Sequence, residues 1–256
     1  MPIVRRRDGE SENVSDPVAR EHSLVLSLCG HCLCRLQCSP TQLEELALGF
    51  LLTMGMLPPN AAEVPIHTTK AKRETSVDVA IDVSDADVER FREGLTAGTG
   101  CGMGVFSVKG FDPLDCGRKI DMSFRVDAGE LADSVRAFQK ESGAYRDTGG
   151  VHSAGVAEGG QLIAFAEDVG RHNAIDKVIG CCIRAGTPMQ DKVLLSTGRL
   201  SLDVAAKAIR AGAPLLASRS APTDAAVELA RLANLTLVGF VRGIRMNIYC
   251  ADWRIE

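Results

Sequence analysis

A chain of 256 residues with 45% hydrophobic residues carries enough apolar material for an ordinary core, as one large domain or two small ones, and is not a disordered polymer. Its net charge of -4 weighs against a general nucleic-acid-binding surface and leaves room only for a local anion pocket. Nine cysteines, an odd number in irregular spacing, fit reduced thiols better than a disulfide framework, and no apolar run is long enough to span a bilayer, so the expected compartment is the cytoplasm with no membrane partner.

Residues 1–22 open with Arg5-Arg6-Arg7 and no apolar stretch follows, which reads as a charged mobile tail and not as a signal peptide. Residues 23–125 read as a smaller N-terminal α+β region. Leu24 to Leu36 alternates around Gly30-His31 as a hairpin does, and Ser39-Pro40-Thr41-Gln42 supplies a helix cap, a first-turn proline and a capping-box glutamine. Leu43, Leu46, Ala47, Phe50, Leu51 and Met54 then share one helical face, ending near Gly55. Pro58-Pro59 breaks the chain, Ser76 to Val83 alternates as a strand, and Ser84 to Leu95 reads as a short capped helix. Cys32, Cys34, Leu36 and Cys38 fall on one face of the hairpin. With Cys29 they are read as small core residues, because no second half-site completes a zinc knuckle.

Thr96 to Gly117 is a long glycine-rich loop of the kind that is functional or mobile. Within it Cys101, flanked by glycines and a threonine, has the access and the backbone N–H groups that a sulfur nucleophile needs, although such loops also carry incidental cysteines.

Residues 126–256 read as a C-terminal α/β domain. A helix over Ala128 to Glu141 precedes strands at Gly155 to Ala157 and Leu162 to Phe165. Helices at His172 to Arg184, Leu202 to Ala211 and Thr223 to Asn234 then alternate with strands at Val193 to Leu195, Leu215 to Ala217 and Leu235 to Val241. That alternation implies a mixed or mostly parallel sheet flanked by helices, with Met246 to Cys250 returning antiparallel. The block Thr148 to Lys177 concentrates His152, Glu167, Asp168, Arg171, His172 and Asn173 between a hairpin and a helix. Asp168 can cap that helix, with Arg171, His172 and Lys177 as a solvated face. Alternatively the helix start, Arg171 and His172 receive an anion. Ser196-Thr197-Gly198-Arg199 and Ser218-Arg219-Ser220 recur at predicted strand ends, where open α/β sheets place ligands.

At Thr148 to His152, Glu167 to Lys177, Ser196 to Ser201, Ser218 to Thr223 and Gly239 to Tyr249 the chain resembles the formate dehydrogenase accessory sulfurtransferase family, over about Leu24 to the C-terminus. The resemblance implies a C-terminal domain similar to cytidine deaminases but used for guanine nucleotide binding. It also implies sulfur received from a cysteine desulfurase, carried as a persulfide, and passed to the molybdenum or tungsten bis(molybdopterin guanine dinucleotide) cofactor of a formate dehydrogenase catalytic subunit. GDP would then be a surrogate ligand, and a homodimer would suit a bis-nucleotide. The family's Cys-Gly-x-Cys-Gly motif matches Cys101-Gly102-Met103-Gly104-Val105, so Cys101 takes the place of the first cysteine and Gly104 that of the second. Its cofactor-binding stretch matches Phe240, Val241, Arg242, Gly243, Ile244 and Arg245, joined in the expected site by Arg171, His172, Arg199 and Arg219. A zinc deaminase is excluded by the missing His-x-Glu and Pro-Cys-x-x-Cys signature. The remaining rival is a chaperone that binds the guanine dinucleotide and the apo-enzyme without carrying sulfur.

Overall fold

The computed structural model describes residues 1–57, 61–97, 105–108 and 119–256, the stretches 90–97 and 105–108 by backbone alone. Strands β1 (Pro2–Arg7) and β2 (Glu10–Ser15) pair antiparallel where the charge density suggested a tail. Asp8 and Gly9 between them both have positive φ, the two-residue loop that twists a hairpin correctly, and Ile3 pairs with Val14 across it.

The N-terminal sheet is built from β3 (His22–Leu28) and β4 (His31–Cys38), then, after helix α1 (Leu43–Thr53), β5 (Ile66–Lys70) and β6 (Glu74–Val79), in the order β4-β3-β6-β5 with β3 parallel to β6. Helix α2 (Asp85–Gly94), its N-terminus capped by Ser84 Oγ accepting from the Asp87 N–H, leads into β7 (Leu95–Ala97), which pairs with β8 (Val105–Val108). Two local expectations change. A bulge opposite Leu26 and Ser27 turns Leu33 inward and leaves Cys32 exposed, so the shared cysteine face is reduced to Cys34 and Cys38. Ser39 does not cap α1; Gln42, in the left-handed region at φ 52, starts that helix without a side-chain cap bond.

The larger sheet begins after α3 (Ala128–Glu141) and the short α4 (Gly143–Thr148). The chain then runs β9 (His152–Glu158), β10 (Gln161–Asp168), α5 (Arg171–Arg184), β11 (Val193–Ser196), α6 (Leu202–Ala211), β12 (Leu215–Ser218), α7 (Asp224–Ala233), β13 (Thr236–Arg242) and β14 (Arg245–Cys250). Six strands pair in the order β10-β9-β11-β12-β13-β14, with β11, β12 and β13 parallel and the others antiparallel. Period-two alternation sorts the faces. Val193, Leu195, Leu215, Ala217 and Val238 pack with Leu131, Val135 and Phe138 of α3, while Leu194, Leu216 and Leu237 join the core on the face of α5.

That second core continues into the N-terminal region through α1, which lies on α5. Gly49 and Gly180 make the approach possible: a Cβ at Gly49 would fall 1.8 Å from the Asp176 carbonyl oxygen, and one at Gly180 1.9 Å from that of Glu45. The pairing of 49 with 176 and of 180 with 45 makes the two helices antiparallel. Leu24, Leu26 and Leu28 of β3, Leu51 of α1 and Ile175 of α5 therefore belong to one buried cluster.

Candidate functional site

Strand direction decides where the candidate residues meet. Because β11, β12 and β13 are parallel, their C-terminal ends share one sheet edge, which carries Thr197 to Arg199, Arg219 to Ser220 and Arg242. The antiparallel strands β9 and β14 bring their N-terminal ends, His152 and Arg245, to the same edge, and β10, antiparallel to β9, brings its C-terminal end there, Asp168 pairing with His152 and Arg245 with Arg242. The start of α5, with Arg171 and His172, follows Asp168 directly. All five arginines expected in the site thus lie along one edge of a chain whose net charge is -4. Cations gathered this way repel one another unless an anion joins them.

Hydrogen bonds tie the loops to each other. Ser196 Oγ accepts from the Gly198 N–H at 3.1 Å and Ser218 Oγ from the Ser220 N–H at 3.1 Å, so two adjacent strands end in the same serine-closed turn. Ser218 Oγ also donates to the Gly198 carbonyl at 2.7 Å, the Phe240 N–H donates to the Ser220 carbonyl at 3.1 Å, and Arg242 Nη1 donates to the Arg219 carbonyl at 2.8 Å. Thr197 Oγ1 accepts from the Ser153 N–H at 3.0 Å beside His152. Gly198 is required for close approach, since a Cβ there would lie 2.9 Å from the Arg171 Cβ. Between these loops is a cavity of about 230 Å³ lined by Tyr145, Thr197, Arg219, Ser220 and Arg242.

Both histidines are held toward the neutral form. Burial, with Arg171, Lys207 and His152 nearby, lowers the His172 pKa to about 2, and burial with Arg171 lowers that of His152. Asp203, in the first turn of α6, is raised by burial while Lys207 and Arg171 oppose the shift. A neutral imidazole adds a hydrogen-bonding group to a cationic edge without adding to its charge.

The solvated-face reading of α5 fails. Lys177 and Asp168 are both fully buried and form an ion pair at 2.6 Å. Asp168 also accepts from the Ser39 N–H at 2.8 Å, the Gly170 N–H at 2.8 Å and Asn173 Nδ2 at 3.0 Å, while Lys177 Nζ donates to the Ser39 carbonyl at 3.1 Å. The motif holds the β4–α1 corner against the start of α5, and Ser39 serves that junction instead of a helix cap.

Among the other expected residues, Phe240 sits at φ 54 and is exposed, Gly243 turns at φ 59, and Ile244, Arg199 and Arg245 are exposed along the rim. Val241 is fully buried in the core under α3, so its side chain is turned away from the edge. Cys101 and Gly104 lie outside the described residues, as do Lys109 and Cys116 of the same glycine-rich loop. Tyr145 was not apparent from sequence. Helix α4 is too short to show a period, and only the contact of the Glu167 carboxylate with the Ala144 and Tyr145 N–H groups, at 3.1 Å and 3.0 Å, places it at the edge.

Known proteins match this arrangement over the whole chain. Proteins named sulfur carrier protein FdhD from Shouchella clausii (strain KSM-K16) and Staphylococcus aureus (strain JH9) are each 32% identical, over 99% and 100% of this chain and 95% of each relative. A crystal structure from Desulfotalea psychrophila, of a protein proposed to be a formate dehydrogenase accessory protein, superposes with a TM-score of 0.80 at 25% identity over 100% of this chain and 98% of that one. The model of the FdhD/NarQ family matches residues 19–256, from the segment before β3 through the sheet edge to the last residue, and the chain belongs to that family.

Proposed function

We propose that this protein is a sulfur carrier for formate dehydrogenase. The observation that carries the reading is the convergence of Arg171, Arg199, Arg219, Arg242 and Arg245 on one sheet edge, where Arg219 and Arg242 line a cavity that also has hydroxyl and aromatic walls, a setting suited to the phosphates of a guanine dinucleotide. The names of the relatives supply the sulfur chemistry, and Cys101 supplies the thiol. The Cys101 thiolate attacks the outer sulfur of a persulfide on a cysteine desulfurase, the desulfurase cysteine leaves as thiolate, and Cys101 becomes the persulfide. The molybdenum or tungsten bis(molybdopterin guanine dinucleotide) is the acceptor substrate. Its reduced metal supplies the two electrons that convert the outer sulfur to a sulfide ligand, and Cys101 is released as thiolate. With Gly104 in place of a second thiol, release is direct and proceeds through no disulfide. Two copies, each holding one guanine nucleotide, suit this acceptor, and the exchange belongs in the cytoplasm, where thiols stay reduced.

Mass spectrometry after incubation with a cysteine desulfurase and cysteine should find one added sulfur on Cys101. Cys101→Ser should abolish uptake and formate dehydrogenase activation, and Cys116→Ser should leave both intact. Arg242→Ala and Arg171→Ala should each weaken GDP binding by about 1–3 kcal/mol in titration calorimetry. A wild-type chain that activates formate dehydrogenase without gaining sulfur would be the guanine-dinucleotide chaperone instead.

A further inference from the structure

We infer that Tyr145 is the base-recognising residue of the edge cavity, the wall on which the nucleobase stacks. The inference rests on the guanine-nucleotide reading above and assigns a residue that reading does not contain. The five described residues that line the cavity divide by chemistry: Arg219 and Arg242 are the cations, Thr197 and Ser220 bring hydroxyls, and Tyr145 is the one aromatic ring among these described residues. Phosphate oxygens match the first pair and sugar hydroxyls the second. A base, flat and π-faced, has Tyr145 as its counterpart.

The ring is presented for this purpose and is not part of the core. No residue of α4 is buried, and Tyr145 is 40% exposed, whereas Phe138 on the preceding helix is 1% exposed within the core under the sheet. The backbone beneath the ring is nevertheless fixed. Glu167 at the end of β10 accepts from the Ala144 and Tyr145 N–H groups and from Ser153 Oγ at 3.2 Å, which links the start of α4 to two strands of the sheet. At its other end, Thr148 Oγ1 donates to the Ala144 carbonyl at 2.7 Å, and Gly149 at φ 63 ends the helix, its N–H donating to the Tyr145 carbonyl. An exposed ring on an anchored turn, facing two arginines, loses little entropy when a base covers it.

Calorimetry with two probes, GDP and inorganic pyrophosphate, separates the base from the phosphates. Tyr145→Ala should weaken GDP about tenfold or more and leave pyrophosphate affinity unchanged, while Tyr145→Phe, which keeps the ring, should bind GDP as the wild type does. The unchanged pyrophosphate affinity also reports that the alanine variant is folded. Equal losses for both probes, or no loss for GDP, would overturn the role of Tyr145 while leaving the nucleotide site standing. A wild-type chain that binds GDP no better than pyrophosphate would instead overturn the nucleotide reading from which this inference starts.

Discussion

His172 shows how a single side chain can link the site to stability. Its pKa of about 2 in the folded protein lies far below the ordinary value of 6.5, because burial and the nearby Arg171, Lys207 and His152 disfavour the imidazolium. As pH falls, the unfolded chain takes up this proton first. The stability it supports is complete above about pH 6.5 and declines as pH drops toward 2, at about 1.4 kcal/mol per pH unit. Between pH 7 and pH 5 the wild type should therefore lose about 2 kcal/mol more than His172→Gln. Urea unfolding of both proteins at the two pH values measures the difference, and parallel losses would show that His172 is protonated in the folded state.

At the scale of elements, the contact of α1 with α5 depends on two missing side chains. Replacing a helical glycine by alanine ordinarily gains about 1 kcal/mol from helix propensity. Here the new Cβ would meet a backbone carbonyl at 1.8 Å from Gly49 or 1.9 Å from Gly180, and backbone cannot rotate aside as a flexible side chain can. The clash outweighs the propensity. Gly49→Ala and Gly180→Ala should each destabilise the protein by about 3 kcal/mol or more, at or beyond the upper end of ordinary overpacking. An unchanged urea midpoint in either variant would mean that the helices lie farther apart.

Across the whole molecule, the regions 23–125 and 126–256 delimited from sequence share one hydrophobic cluster, and two buried ion pairs of the second region are hydrogen-bonded to Ser39 and Thr53 of the first. Lys177 joins Asp168 at 2.6 Å beside Ser39, and Lys207 joins Asp176 at 2.7 Å while donating to Thr53 Oγ1 at 2.9 Å. Each pair lies where an N-terminal element meets α5 or the strand before it. Removing one partner leaves the other buried and unpaired, so Lys177→Met should cost about 3–5 kcal/mol. Fluorescence of Trp253 and far-UV circular dichroism should report one coincident urea transition in the wild type and the same shift in the variant. Two separate transitions would show that the regions unfold independently.

The sequence by itself determined most of the elements and the strand ends that carry the site. Alternation, caps and helical faces are local: the helices at Ala128–Glu141 and Leu202–Ala211 and the parallel run through β11, β12 and β13 follow from residue order, as does the expectation of arginines at strand ends. Contacts between residues distant in the chain were decided only by the tertiary structure. Lys177 looked solvent-facing because its partners Asp168 and Ser39 are nine and 138 residues away, the second beyond any periodic pattern. Ser39 looked like a cap because a cap is the usual local use of a serine in that position, and here its Oγ accepts from the distant Val169 N–H instead, while its own N–H donates to the Asp168 carboxylate. Tyr145 gave no signal, since a six-residue helix has no face of its own and reaches the site only through Glu167. Periodicity records which way a side chain points from its own backbone, and only the packed chain fixes what lies opposite it.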